Sequence, residues 1–152
     1  MPNTSPLSIR FLTSSEVAEF RAAVLLLTEV FEHDIDSLPP DAHLSQLLSL
    51  SHFFVGVAFH EGTLVGALTA HKLESYYAVE PQFYLYDIAV RPEFQRKGIG
   101  KALVTSLNEL ARKHGASEVF VQADAEDIHA LDFYRHTGGR EAPVFHYTFP
   151  LE

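Results

Sequence analysis

Cysteine is absent from this chain. That excludes disulfides and thiolate metal sites, and it fits a cytoplasmic location. Long apolar runs are missing too. No stretch of about 18 apolar residues occurs, so no membrane span is expected. The opening residues, MPNTSPLS, lack a basic region followed by an apolar block, so no secretory leader is expected. Repeats, low-complexity tracts and linkers are also lacking, and residues 1–152 read as one domain. Basic residues are few, with 11 Lys and Arg against 20 Asp and Glu, for a net charge of −9. This deficit makes nucleic acid and anionic membrane poor partners and favours a cationic ligand. Acidity that serves solubility alone is the competing reading. The nine histidines are scattered. None forms an H-x-x-x-H or H-E-x-x-H pair, so no metal is expected.

What is present suits a sizeable core, since 47% of residues are hydrophobic and 12% aromatic. Leu7 to Leu12 alternate weakly and read as a strand. Thr13 or Ser14 is placed to cap a helix with Glu16 and Val17 in its first turn. Phe20, Ala23, Val24, Leu27, Val30 and Phe31 recur at helical spacing and give it one apolar face. An acidic loop with two prolines follows (Glu32, Asp34, Asp36, Pro39, Pro40, Asp41), then a short helix from Ala42 to Leu50. Phe53 to His60 and Thr63 to Lys72 read as a hairpin turned at Glu61-Gly62. Ser117 to Ala123, Ile128 to His136 and Val144 to Phe149 read as strand, helix and strand. Gly115 suits a left-handed helix end, and Gly138-Gly139 close the second helix. The whole is an α/β pattern.

Between these lies QFYLYDIAVRPEFQRKGIG, residues 82–100. Phe83 to Val90 is rich in aromatic and β-branched residues and reads as a central strand buried on both faces. Asp87 interrupts it. Pro92 ends it, and Gln95-Arg96-Lys97-Gly98-Ile99-Gly100 leads into an amphipathic helix from Lys101 to His114. A strand, a glycine turn and a helix start in that order form an anion site, because the first helical amides lack partners and glycine lets a phosphate approach the backbone. An acid in a buried strand needs a partner or a purpose. Alternation sets Asp87 opposite Tyr86 and Ile88, unless a bulge reverses the phase.

The pattern Gln-x-x-Gly-x-Gly after a strand ending Ala-Val, joined by the later A-L-D-F-Y-R-H-T-G of residues 130–138, resembles the GCN5-related N-acetyltransferase (GNAT) superfamily. YLYDIAV, QRKGIG, VFVQAD and HFFVGVAF with EGTLVGAL are similar to the type I aminoglycoside 3-N-acetyltransferases, over roughly residues 8–149. The resemblance implies a single-domain GNAT fold, a mixed central sheet with splayed parallel central strands flanked by helices. It implies an acetyl-CoA motif over about residues 84–114 and direct transfer of acetyl to a cationic small-molecule amine. The lack of cysteine agrees with a route that has no acyl-enzyme. The pyrophosphate would lie on the amides from Arg96 to Lys101, with Gln95, Lys97, Gly98, Ile99 and Gly100 in the same turn. Ile88, Ala89 and Val90 would pair with the pantetheine arm. Tyr134 resembles the family's general acid for the thiolate. Asp87 is the first candidate for the base and Asp124 the second. Asp127 stands where many superfamily members have Asn, and it reads either as a helix cap or as a substrate ligand. Glu32, Asp34, Asp36, Asp124 and Glu126 are the acids available to a polycation. The resemblance further implies a homodimer.

Overall fold

In a computed structural model, residues 6–152 are described. The stretch read above as carrying no leader begins in residues 1–5, outside the described residues. The elements run β1 (Leu7–Phe11), α1 (Val17–Val30), α2 (Asp41–Leu48), β2 (Phe53–His60), β3 (Thr63–Leu73), β4 (Gln82–Val90), α3 (Ile99–Lys113), β5 (Glu118–Val121) and α4 (Ile128–His136). Single 3₁₀ turns occupy Ile35–Ser37 and Pro92–Phe94. Contacts divide the chain into two compact units, the first ending at Gln122 and the second comprising Ala123–Glu152.

The first unit is a five-stranded sheet in the order β1-β2-β3-β4-β5. The first four strands are antiparallel and β5 is parallel to β4. The β2–β3 turn is tight because Glu61 and Gly62 both take positive φ, 50° and 82°, the twist that suits a two-residue hairpin. Alternation along the strands sends two sets of side chains to opposite faces. Val55, Val57, Ala67 and Ala89 pack with Phe20, Ala23, Leu26 and Leu27 of α1 and Leu44 and Leu48 of α2. The other face meets α3, whose buried residues Ile99, Leu103, Leu107 and Ala111 repeat at the four-residue spacing of one helical stripe.

Gly66 shows how closely α3 approaches. A β-carbon there would lie 3.2 Å from the Leu103 Cδ1 and 3.2 Å from the Ala89 carbonyl oxygen. Gly66→Val should therefore destabilise the fold by about 1–3 kcal/mol through overpacking, seen as a lower urea midpoint at unchanged slope.

Several boundaries differ from the sequence reading. Neither Thr13 nor Ser14 caps α1. Glu16 is the residue before the helix, and its carboxylate accepts the Thr13 backbone N–H at 2.7 Å, so the acid holds the entry turn from the helix side. Leu26 is fully buried while Phe31 is 41% exposed, because α1 ends at Val30 and Phe31 has left its apolar face. The strand expected over Val144 to Phe149 is not formed. Residues 144–149 carry no strand, and Val144, Phe145, Tyr147 and Phe149 are exposed. An alternating pattern needs a neighbouring ladder to become a strand.

Candidate active site

The first unit carries the strand, the turn and the helix start. The β4–β5 pairing runs only from Gln82↔Glu118 to Leu85↔Val121. Beyond Leu85, β4 continues to Val90 paired to β3 alone. Alternate backbone groups of Tyr86 to Val90 therefore face an edge with no strand on it, among the described residues. Ile88, Ala89 and Val90 lie in this open stretch, as the expected pairing partners of an extended ligand arm.

The end of β4 is tied down from several sides. The Gln95 side-chain amide donates to the Val90 carbonyl at 2.9 Å. Arg91 donates from Nε to the Leu64 carbonyl at 3.1 Å and pairs with Glu29 of α1 at 3.3 Å. Gln95 thus positions the turn, a role the sequence motif did not specify.

The turn then bends through two left-handed residues, Arg96 at φ 61° and Gly98 at φ 82°. A non-glycine in that region costs on the order of 1 kcal/mol, and such strain is commonest where a site needs the backbone aimed. Gly98 stands at the cap position of α3, and no side chain caps the helix. The first turn holds no acid, while Arg96, Lys97 and Lys101 are exposed beside it. Lys97 lies with its Nζ 5.3 Å from the centre of the Phe94 ring. Orphan amides, the positive helix pole and three basic side chains fit a diphosphate.

Asp87 sits where β4 changes phase. Thr69 pairs with Asp87 and the adjacent Ala70 pairs with Leu85, which leaves Tyr86 as the extra residue of a bulge. The bulge reverses the phase. Phe83 and Leu85 lie with Ile88 and Val90 on the α3 face. Asp87 follows Tyr84 and Tyr86 onto the α1 face, in line with His71 and Thr69. The expectation that both faces of β4 are buried is corrected: Phe83 and Leu85 are buried, but Tyr86 is 59% exposed.

No hydrogen bond or ion pair joins the Asp87 carboxylate to another described residue. Burial raises its pKa above the ordinary carboxylate value, and the charge of His33 opposes this in part. His33 comes from the end of the α1 turn, where its backbone N–H donates to the Thr28 carbonyl at 2.9 Å. Nothing in the sequence marks His33 beyond its place in the acidic loop. In that loop Asp34 accepts the Asp36 N–H at 2.8 Å, so Asp34 shapes the turn, and Glu32, Asp34 and Asp36 are all exposed.

The second unit carries the remaining expected residues. Asp124, Ala125, Glu126 and Asp127 line an open acidic concavity. Asp127 caps α4, its carboxylate accepting the Ala130 N–H at 3.0 Å, as its cap reading expects. The Asp124 carbonyl accepts the Asp127 N–H at 3.0 Å, and the Asp124 and Glu126 side chains are exposed. Tyr134 is half-buried on α4. Its ring lies 5.2 Å from that of Phe133, and its carbonyl accepts the Gly139 N–H at 2.9 Å.

Comparison with known proteins bears on the family and the fold. Residues 20–138 match the model of the Acetyltransferase (GNAT) family. A solved aminoglycoside acetyltransferase from an uncultured soil metagenomic sample, in complex with trehalose, is 42% identical at a TM-score of 0.93. The match covers 96% of this chain and 97% of that one. An aminoglycoside acetyltransferase of the same origin, in complex with sisomicin, is 41% identical at the same TM-score, with the same coverage of both chains. The N-alpha-acetyltransferase RimI of Mycobacterium tuberculosis is 31% identical over 136 residues, 90% of this chain and 80% of that protein. The ribosomal protein bS18-alanine N-acetyltransferase of Escherichia coli matches at 32% over 66 residues, so the chain spans less than half the length of that relative, 45%.

Proposed function

The chain belongs to the acetyltransferase (GNAT) family, and from that premise we propose that it transfers the acetyl group of acetyl-CoA directly to an amine of an aminoglycoside, the 3-amino group. The observation that carries this reading is the half-buried Asp87 carboxylate, without a hydrogen-bond partner among the described residues, on a strand whose open end runs into an uncapped, basic helix start. The 42% and 41% identical relatives, one with trehalose and one with sisomicin, support an acceptor built of hydroxylated rings. The net charge of −9 supports a polycation.

Acetyl-CoA, when bound, supplies an activated thioester. The amides from Arg96 to Lys101 hold its diphosphate. The open edge at Ile88, Ala89 and Val90 pairs with the extended arm, and a backbone amide there polarises the thioester carbonyl. Asp87 binds the acceptor ammonium and takes its proton, directly or through water, since a carboxylate with a raised pKa is the better base. Nitrogen then bonds to the acyl carbon as the carbon–sulfur bond breaks, and the nitrogen's second proton passes to solvent. Tyr134 donates its phenolic proton to the departing sulfur, a phenol being protonated at neutral pH. Tyr134→Phe should lower kcat by about 10²-fold and leave acetyl-CoA affinity within twofold, checked by steady-state rates beside calorimetric titration.

The 31% identity to RimI favours one second reading, a protein N-terminal amine as acceptor. Free CoA release with sisomicin, spermidine and an alanine-starting peptide separates the two. Release with sisomicin at a kcat/KM well above the peptide's supports the first reading. Release with the peptide alone replaces it.

A further inference from the structure

On the α1 face of the sheet, a row of rings crosses from α1 to β5. Phe20 lies 5.9 Å from Phe53, Phe53 lies 5.2 Å from His71, and His71 lies 5.7 Å from Tyr86. Tyr86 lies 5.8 Å from Tyr84, which stacks on Phe120 at 4.7 Å and 18°. Strand register explains the line. Phe53, His71 and Tyr84 are direct cross-strand partners on β2, β3 and β4, and Tyr84 pairs with Phe120 on β5.

Only the start of this row is core. Phe20 is 2% exposed, whereas Tyr86 is 59% exposed, and His71, Tyr84 and Phe120 are half-buried. The bulge that turns Asp87 to this face also turns Tyr86 outward next to it.

We propose that Tyr86, backed by His71 and Tyr84, is a platform on which a saturated, hydroxylated, cationic ring of the acceptor lies, with Asp87 at its edge. The proposal rests on the aminoglycoside reading above.

The chemistry suits that ligand. Aromatic faces carry negative potential and attract both ammonium groups and the polarised C–H bonds of amino-substituted rings. The rings are held in place before binding, so little side-chain freedom is lost when a ligand lies on them. The Tyr84 hydroxyl donates to the Gln122 side-chain carbonyl at 2.8 Å, which fixes that ring. Tyr86 is held edge-on to His71 at 80°. The charge of His33 acts on Asp87, that of His52 on His71, and those of Tyr86 and Asp87 on Tyr84. Burial and the charge of His52 both lower the His71 pKa, which favours a neutral ring that does not repel a cation.

Tyr86→Ala, Tyr86→Leu and Tyr86→Phe, assayed for CoA release with the same aminoglycoside, test the platform. Ala and Leu should each raise the aminoglycoside KM about tenfold, with kcat within threefold and the acetyl-CoA KM unchanged. Phe, which keeps the ring, should hold the KM within about twofold. An exposed position tolerates these changes, and Leu keeps side-chain bulk if Ala loosens the strand. An unchanged KM in both Ala and Leu overturns the platform. So does an equal loss in Phe, which would assign the binding to the hydroxyl. If the wild-type protein releases CoA with the aminoglycoside and the variants match it, the platform alone fails. If the wild-type protein does not turn the aminoglycoside over, the acceptor reading fails and the platform falls with it.

Discussion

Replacing Asp87 with asparagine should lower kcat/KM for an aminoglycoside by about 10²–10³-fold, the range for a lost general base, while acetyl-CoA affinity stays within twofold. The side chain keeps its shape and loses its proton-accepting charge. The pH profile carries a second signature. In the wild-type protein the active form is the carboxylate, so the rate should fall as pH drops through a pKa raised by burial. Asp87→Asn should lose that limb.

Stability should move the other way. The folded pKa of Asp87 lies above its unfolded value, so between the two the native state binds more protons. Its contribution is fully present below about pH 3.9, the unfolded value, and is lost as pH rises through the folded pKa. Asp87→Asn removes that loss and should melt higher than the wild-type protein at pH 7–8, with the difference vanishing near pH 3. A purely structural aspartate would give the reverse, a variant less stable at neutral pH with its activity largely kept. Differential scanning at three pH values beside initial rates distinguishes them.

The second large effect is expected at Gly98. Gly98→Asp places a negative charge at the cap of α3, where the uncapped amides and Arg96, Lys97 and Lys101 gather. A β-carbon there meets nothing within 4 Å, so the cost to folding is the left-handed φ of 82°, about 1 kcal/mol. The cost to an incoming diphosphate is Coulombic, of order 1–3 kcal/mol at a partly exposed site. The acetyl-CoA KM should therefore rise about tenfold to hundredfold. Gly98→Ala should reproduce the strain without the charge and leave the KM nearly as in the wild-type protein. If Ala and Asp raise it equally, backbone shape and not the electrostatics of the helix start governs cofactor affinity.

The part of this site closest to the sequence was the easiest to read. An apolar run stopped by Pro92 and followed by Gly98 and Gly100 specifies strand, turn and helix locally, and β4 and α3 form within two residues of the expected bounds. Asp127 as a cap was legible for the same reason, since capping depends on the next three residues. The Tyr86 bulge was not. It is set by where Thr69 and Ala70 pair, and Tyr-Leu-Tyr-Asp-Ile has no periodicity that encodes its partner's register. That one slip decides which face Asp87 shares and exposes Tyr86 beside it. The influence of His33 on Asp87 depends on how the chain leaves α1, through Glu32 at φ 58°, which composition does not foretell. The alternating Val144 to Phe149 pattern suggested a strand because it has the period of one, but period alone does not make a strand.

The most direct test of the account is to incubate the protein with acetyl-CoA and sisomicin, follow free CoA, and locate the new amide by NMR. Stoichiometric CoA release with a single acetyl on the 3-amino group is expected, abolished to within a few per cent in Asp87→Asn. Acetyl-CoA binding without release for any aminoglycoside, or release undiminished in Asp87→Asn, would contradict it.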